Sequence, residues 1–323
     1  MENKEHRKKL LKSFFLILER LEIILTGEDS NVIEKQRKKF DIIGSRFVFL
    51  IPSLAFFTVF AFIPLIVVVI ISFFSWNLLG PMKFVGIENF IDMFTDANFW
   101  GTLMVTLKFE IMVVPITFVL SLILALLLYK EGKFSSVFRA FFYWPYMAPA
   151  VVSGTIWAWL FSTNTGFINS ILMKFGLSPV SWLQGGLTAL LVISLTQVWG
   201  MAGFMMMIFI TGLEQIPMEF EEAASIDGAN KLQIFRHITW PLLKGTSIIV
   251  LILSIAYSWN NFTLMYVMTT GGPGYATTIT SLYIYQLAFT QFRIGYAAAV
   301  SVITVLISIG IAMVAMKTGR WEV

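Results

Sequence analysis

Hydrophobic residues in this chain come in long blocks with short polar stretches between them. A helix needs about twenty apolar residues to cross roughly 30 Å of hydrocarbon. On that measure the blocks near 47–74, 102–128, 140–162, 188–212, 246–269 and 294–316 each predict a membrane span. Six spans leave both ends of the chain on one side. The first block contains Pro52 and Pro64, the second Pro115, and the third Pro145 and Pro149. Inside a bilayer, neighbouring helices can satisfy the carbonyls that a proline frees, so these blocks remain spans and are expected to bend. The pattern predicts an all-α, polytopic helical bundle across residues 47–316.

Two regions break this rhythm. In the tail 1–46, Leu10, Leu11, Phe14, Phe15, Leu18, Leu21 and Leu25 recur at helical spacing, but Lys8, Lys9, Lys12, Glu19, Arg20 and Glu22 interrupt them too often for a span. No small-residue cleavage site follows, so it does not read as a signal peptide. The pattern predicts an amphipathic interfacial helix on the lipid surface; a partner-docking helix would use the same pattern. Residues 28–41 read as a solvated linker. The second region is 213–245, a polar loop between two of the most apolar blocks. The last stretch, 317–323, is a short polar tail.

Composition confirms the class and charge orients it. With 57% hydrophobic residues, 13% charged and a mean hydropathy of +0.80, the chain is far greasier than a soluble domain. It has no cysteine, which removes disulfides, thiolate nucleophiles and cysteine-ligated metal. His6 and His237 cannot form a histidine cluster, so no metal site and no catalytic residue is expected. The tail 1–46, the loops 129–139 and 213–245 and the end 317–323 hold 19 of the 23 Lys and Arg residues. The opposite side has only Lys83, Lys108, Lys174 and Arg293, among interfacial aromatics such as Trp76, Phe99, Trp100, Trp182 and Tyr275. This asymmetry places both termini and the polar loop in the cytoplasm. It also accounts for the net charge of +4 without nucleic acid.

The polar loop reads EFEEAASIDGANKLQIFRHITWP over 219–241. Residues 219–226 favour a helix, with acids at its start where the macrodipole accepts them. The Asp227-Gly228 step predicts a turn. A second amphipathic helix over 229–238 follows, with Pro241 as its stop. By pattern alone, a plain connector and a knob that enters another protein's groove fit equally well.

The loop, read with other segments, resembles a known family. EEAASIDGANKLQIFRHITWPLLK (221–244), FVGIENF (84–90), YWPYMAPAVV (143–152), WNNF (259–262), TTGGPGYATT (269–278) and FRIGYAAAVSVI (292–303) together resemble binding-protein-dependent ABC importer permeases. The TGGP and GYAAA segments are similar to the larger subunit of the maltose-type sugar permeases. Trp240 and Gly245 stand where relatives often carry leucine and a second proline.

The resemblance implies a division of labour. Loop 213–245 would be a coupling loop docked in a cleft of an ABC ATPase dimer. Glu222, Ala223, Ala224, Asp227, Gly228, Ala229, Phe235, Ile238 and Pro241 match its motif. ATP and Mg would sit on that partner; this chain has no GxxxxGK[ST] loop and would carry no cofactor. A second, homologous permease subunit would complete the pathway, and an extracytoplasmic substrate-binding protein would deliver a carbohydrate. The setting would be a bacterial-type plasma (inner) membrane, crossed several times and in contact with lipid.

The fifth block offers a polar stripe, with Ser254, Tyr257, Ser258 and Asn261 spaced to share one helical face. Such a stripe serves a sugar cavity or interhelical hydrogen bonding equally well. The resemblance favours the cavity and adds Gly200, Met201 and Phe204 from VWGMAGF, of which Met201 and Phe204 depart from relatives in residue type. Lys108 and Glu110 are expected as a charge pair with neighbours, and Trp157 and Trp159 as packing or belt residues. A rival ion-coupled carrier would need ionisable groups within the spans. A membrane-embedded enzyme would need a motif such as HExxH or GxSxG, which is missing. A glycerol-phosphate-like cargo would call for Lys or Arg in the stripe, which has neither.

Overall fold

The computed structural model describes residues 50–130, 132 and 134–318. The expected interfacial helix and linker of the tail, and residues 319–323, lie outside that range. The chain divides into two compact units after Val67. In the first, residues 50–67 are helical and expose their apolar side chains. They belong to α1 (Leu50–Ile71). Within α1 a wide π turn at Thr58–Phe62 precedes Pro64. A proline ring clashes with the carbonyl four residues back and offers no N–H, and a widened turn makes room for it.

The second unit is built on α3 (Ala97–Leu128) and α7 (Gly186–Glu214), long helices packed along each other. Together with α1 and α13 (Ile294–Thr318) they are the four single helices, among the described residues, long and apolar enough to cross a membrane. Four of the expected spans thus appear almost as drawn. Pro115 stays inside α3 without ending it.

The third and fifth expected spans are each two helices. The third consists of α4 (Ser135–Met147) and α5 (Ala150–Leu160), split at Ala148 and Pro149, and the short α6 (Phe167–Lys174) follows it. Ala148 is extended, with ψ 135°, as a residue before proline must be. The fifth consists of α10 (Lys244–Trp259) and α11 (Phe262–Thr269), split at Asn260 and Asn261. Here Asn261 turns its side chain to cap the new helix, accepting from the Leu264 N–H at 3.3 Å. α4 packs on α7, α10 on both α3 and α7, and α11 on α5. A buried core of Phe109, Val113, Ile193, Met265 and Ile279 fills the space between them.

A short hairpin, β1 (Phe74–Ser75) and β2 (Lys83–Phe84), leads into α2 (Glu88–Thr95). Asn89 donates to the carbonyls of Ser72 (2.8 Å) and Phe74 (3.0 Å). The Trp76 carbonyl accepts the Ile294 N–H at 2.9 Å. Gly295 lies so close to the Phe74 carbonyl that a Cβ there would collide with it. The FVGIENF and FRIGYAAA segments, some 200 residues apart in sequence, therefore form one collar. Asp96, the cap of α3, draws in α12 (Thr280–Tyr285) and α13 by accepting from the hydroxyls of Tyr283 (2.7 Å) and Tyr296 (2.6 Å). Phe99, expected at the interface, is instead 1% exposed and packs in this cluster.

Candidate functional site

Two sites emerge, one at the polar loop 213–245 and one where the broken spans meet. In the loop, α8 (Met218–Ile226) begins with Glu219 and Glu221 in its first turn. It ends in a turn where Gly228 takes φ +84°, a conformation that only glycine adopts at little cost. The Ala229 N–H returns to the Ala224 carbonyl at 2.9 Å, which closes the cap. Asn230 and Gln233 then cap each other at the start of α9 (Lys231–Leu242). A second π turn, Phe235–Thr239, precedes Pro241.

Pro241 does not stop the helix, as its sequence position suggested. The rod runs on to Leu242 and bends by 69° into α10 at the buried Leu243. Trp240 seats its ring edge-on against Phe118 of α3, which accounts for the larger side chain at this position.

Of the expected coupling residues, Glu222, Ala223, Asp227, Gly228 and Pro241 are exposed, while Ala224, Ala229, Phe235 and Ile238 are half-buried. Between the two helices is a cleft of about 380 Å³ lined by Ala224, Gly228, Ala229 and Ile238, with Gln233 and His237. Beside it, Ile226 is 86% and Leu232 73% exposed. These two aliphatic side chains give the polar loop an apolar edge beside the cleft. Sequence reasoning missed the fastening of this loop. Glu221 pairs with Lys130 at 3.4 Å, and Arg139 joins Glu214 (3.4 Å) to the Tyr129 and Leu128 carbonyls (2.7 and 2.9 Å) at the end of α3.

The second site is a cavity of about 250 Å³ where the α4–α5 break faces the α10–α11 break across α7. Four of the seven candidates line it: Gly200, Met201, Tyr257 and Asn261. Phe204 stands behind, its ring parallel to that of Tyr146 with centroids 4.4 Å apart. Tyr257 meets both rings edge-on, and its hydroxyl lies 3.1 Å from that of Tyr146. Asn261 donates to the Gln197 carbonyl at 2.8 Å, and Gln197 in turn donates to the Met201 sulfur.

Ser254 and Ser258 are not part of this lining. Both are fully buried, and Ser258 meets Glu110 of α3 at 2.8 Å. The expected stripe therefore splits, because α10 ends before Asn261 and both serines are buried, Ser258 against Glu110 of α3. Lys108 and Glu110 do not form the expected surface pair either: Lys108 is exposed and Glu110 is buried. Trp157 packs against Phe161 and Trp199 as expected, and Trp159 is 55% exposed.

Tyr146, Gln197 and Asn260 were missed. Gln197 carried a signal, as the one side-chain amide in its block, and Tyr146 carried another by standing between Pro145 and Pro149. The lining residues include no Asp, Glu, Lys or Arg. The cavity offers amide and hydroxyl groups among aromatic faces, a surface suited to orienting an uncharged, hydroxyl-rich molecule.

Broken spans around an uncharged cavity, with an angled helical loop projecting at one end, define a membrane transport subunit. Residues 117–318 match the family described as binding-protein-dependent transport system inner membrane component, and the chain belongs to it. The trehalose/maltose transport system permease protein MalF of Thermococcus litoralis is 33% identical over 298 residues, covering 91% of this chain and 99% of that one. The arabinooligosaccharides transport system permease protein AraP of Bacillus subtilis is 31% identical over 276 residues, covering 84% and 87%. Among solved structures, a chain of a bacterial ABC transporter involved in the import of the acidic polysaccharide alginate superposes with a TM-score of 0.77 at 21% identity. It covers 88% of this chain and 98% of its own, which shows the fold to be shared. The chain is thus a membrane-embedded permease subunit of an ABC importer.

Proposed function

We propose that this chain forms half of the translocation pathway for a neutral saccharide in an ATP-driven importer. The observation that carries this reading is the cavity at the two helix breaks. It has the faces of Tyr146 and Tyr257, the amides of Gln197, Asn260 and Asn261, and no charged group in its lining. A pyranose ring has apolar faces and an equator of hydroxyls, which such walls match. The printed names of the relatives, for trehalose/maltose and for arabinooligosaccharides, support the substrate class. A phosphate-bearing cargo would want a cation in that wall.

In this reading the pathway alternates between faces while α8 and α9 sit in a groove of an ATPase dimer that binds ATP and Mg. Glu222, Ala223, Ala224, Asp227, Gly228, Ala229, Phe235, Ile238 and Pro241 form the docking knob. A second permease subunit closes the pathway, and an extracytoplasmic binding protein supplies the sugar. Both termini are cytoplasmic, which accords with the basic residues at Lys130, Arg139, Lys231, Arg236 and Lys244 on the loop side.

The test is uptake by the complete complex in vesicles, with the binding protein outside and ATP inside, comparing trehalose, maltose and an arabino-oligosaccharide with glycerol phosphate. Saccharide uptake that needs both ATP and binding protein is expected. Preference for glycerol phosphate would overturn the substrate class, and uptake driven by an ion gradient without ATP would overturn the coupling.

A further inference from the structure

Glu110 is a buried acid that the pathway described above leaves unused. It lies well inside α3 and is 9% exposed. Its Oε2 is 2.8 Å from the Ser258 hydroxyl, and its Oε1 is buried without a hydrogen-bond partner.

Among the described residues nothing charged faces it. Lys108 is exposed, nearly half a helical turn away on α3. On α7 the one charged residue is Glu214, at the far end and paired with Arg139 of α4. On α10, Lys244 is at the start of the helix and Tyr257 faces the cavity. Tyr283 of α12 is engaged by Asp96, and Tyr285 packs on Phe262 and Tyr266. Glu88 and Asp92 of α2 line an outer pocket. Tyr146 of α4 meets Tyr257, and Tyr143 packs on Tyr146.

The hydrogens then decide the arrangement. Besides meeting Glu110, the Ser258 hydroxyl lies 2.7 Å from the Ser254 carbonyl, and a hydroxyl has one proton to give. If Ser258 donates to Glu110, a full negative charge sits in the membrane on a single hydrogen bond, with its second oxygen bare. That is the costliest state for a buried acid. If Glu110 keeps its own proton, it donates to Ser258, Ser258 donates to the Ser254 carbonyl, and of the carboxyl group only a neutral carbonyl oxygen is left over.

Ser258 is also where the broken span is anchored. Its carbonyl accepts the Asn261 N–H at 3.1 Å, and Asn261 caps α11 and holds Gln197.

We propose that Glu110 is a positioning residue for the transport cavity: as a neutral carboxylic acid it donates to Ser258 and fixes the end of α10, and so sets Tyr257 and Asn261. The proposal rests on the saccharide reading of that cavity. It is tested on the complete complex in vesicles, with the best transported of trehalose, maltose and an arabino-oligosaccharide as probe. Glu110→Gln, which keeps a neutral donor, should retain KM. Glu110→Ala and Ser258→Ala should each raise KM roughly five- to tenfold, the share of one lost hydrogen bond. The double variant should do no more than either, since both remove the same contact.

The proton is needed for function, so KM of the unaltered complex should rise as the medium turns alkaline, while Glu110→Gln stays level. A Gln variant as impaired as Ala would overturn the proposal. So would an unchanged KM in Glu110→Ala and Ser258→Ala while Tyr257→Ala raises it. If Glu110→Ala fails to assemble, Ser258→Ala decides alone, because its partner can still sit as a neutral acid. Failure of the unaltered complex to transport any of the three sugars would instead strike the saccharide reading itself, and this proposal with it.

Discussion

Two glycines on α7, three residues apart, should respond in opposite ways to a side chain. A Cβ built on Gly200 meets nothing within 4 Å, because it opens into the cavity. One built on Gly203 would strike the Phe142 carbonyl and come within 2.8 Å of the Tyr143 Cα, the backbone of α4. Gly200→Ala should therefore assemble at least as well as the native chain, since alanine is favoured over glycine inside a helix by up to about 1 kcal/mol. Gly200→Leu should also assemble, but its side chain takes space from a cavity of about 250 Å³. Overfilling a packed site costs about 1–3 kcal/mol. If the sugar bears that cost, KM rises roughly five- to 150-fold. Gly203→Ala must part α4 from α7, and should cut the yield of assembled complex while the survivors keep their KM. The assay is ATP-driven uptake by vesicles normalised for assembled complex, with yield read from size-exclusion profiles. Normal KM and rate in Gly200→Leu, at normal yield, would remove this cavity from the sugar's path.

Other expectations follow from the same geometry. Gly228→Val forces a β-branched residue to φ +84° and should cost a few kcal/mol locally; with Glu222→Lys, it should abolish ATP-driven uptake and weaken ATPase pull-down, and normal behaviour of both would refute the docking assignment. Asn261→Ala removes the α11 cap and frees Gln197, so KM should rise roughly ten- to a hundredfold with assembly retained; unchanged affinity would leave these amides as glue alone. Asp96 is raised by burial but held below its ordinary 3.8 by the Tyr296 and Tyr283 hydroxyls, the Asn98 N–H and the charge of Arg293. A depressed carboxyl stabilises the fold above its unfolded value and loses that contribution as pH falls through the folded one. The purified chain should thus lose Tm on acidification below about pH 4, and Asp96→Asn should lose about 2 kcal/mol at neutral pH with a flatter acid limb. An identical acid profile in both would show that the two tyrosines do not depend on the charge.

What the sequence disclosed was what local physics decides. Continuous apolar length located α3, α7 and α13, and the acids, Asp227-Gly228 and the amphipathic halves outlined α8 and α9. Pro149 announced a bend, and the structure makes it a break. The breach at Asn260–Asn261 was hidden, because polar residues at helical spacing read as a continuous stripe until Asn261 is seen capping a new helix. Nor could the pattern say which way Ser258 turns: its partner, Glu110, is 148 residues away. Pro241 misled for a related reason, since the π turn before it absorbs the missing N–H and the bend falls at Leu243. Tyr146 and Gln197 are each marked in their own segment, but only the packing of α4 on α7, a long-range fact, brings them to one cavity.

Part of the cavity wall comes from loose ends. Tyr146 is one residue short of the end of α4, Asn260 and Asn261 lie outside any helix core, and Gly200 faces empty space. The load of the fold is borne elsewhere, by the collar at Asn89 and Gly295 and by the α3–α7 seam. Replacing a wall residue therefore disturbs little of what keeps the chain folded. A lineage built this way can drift from one cargo to another by single substitutions, each tolerated before it is useful, while loop 213–245 stays untouched.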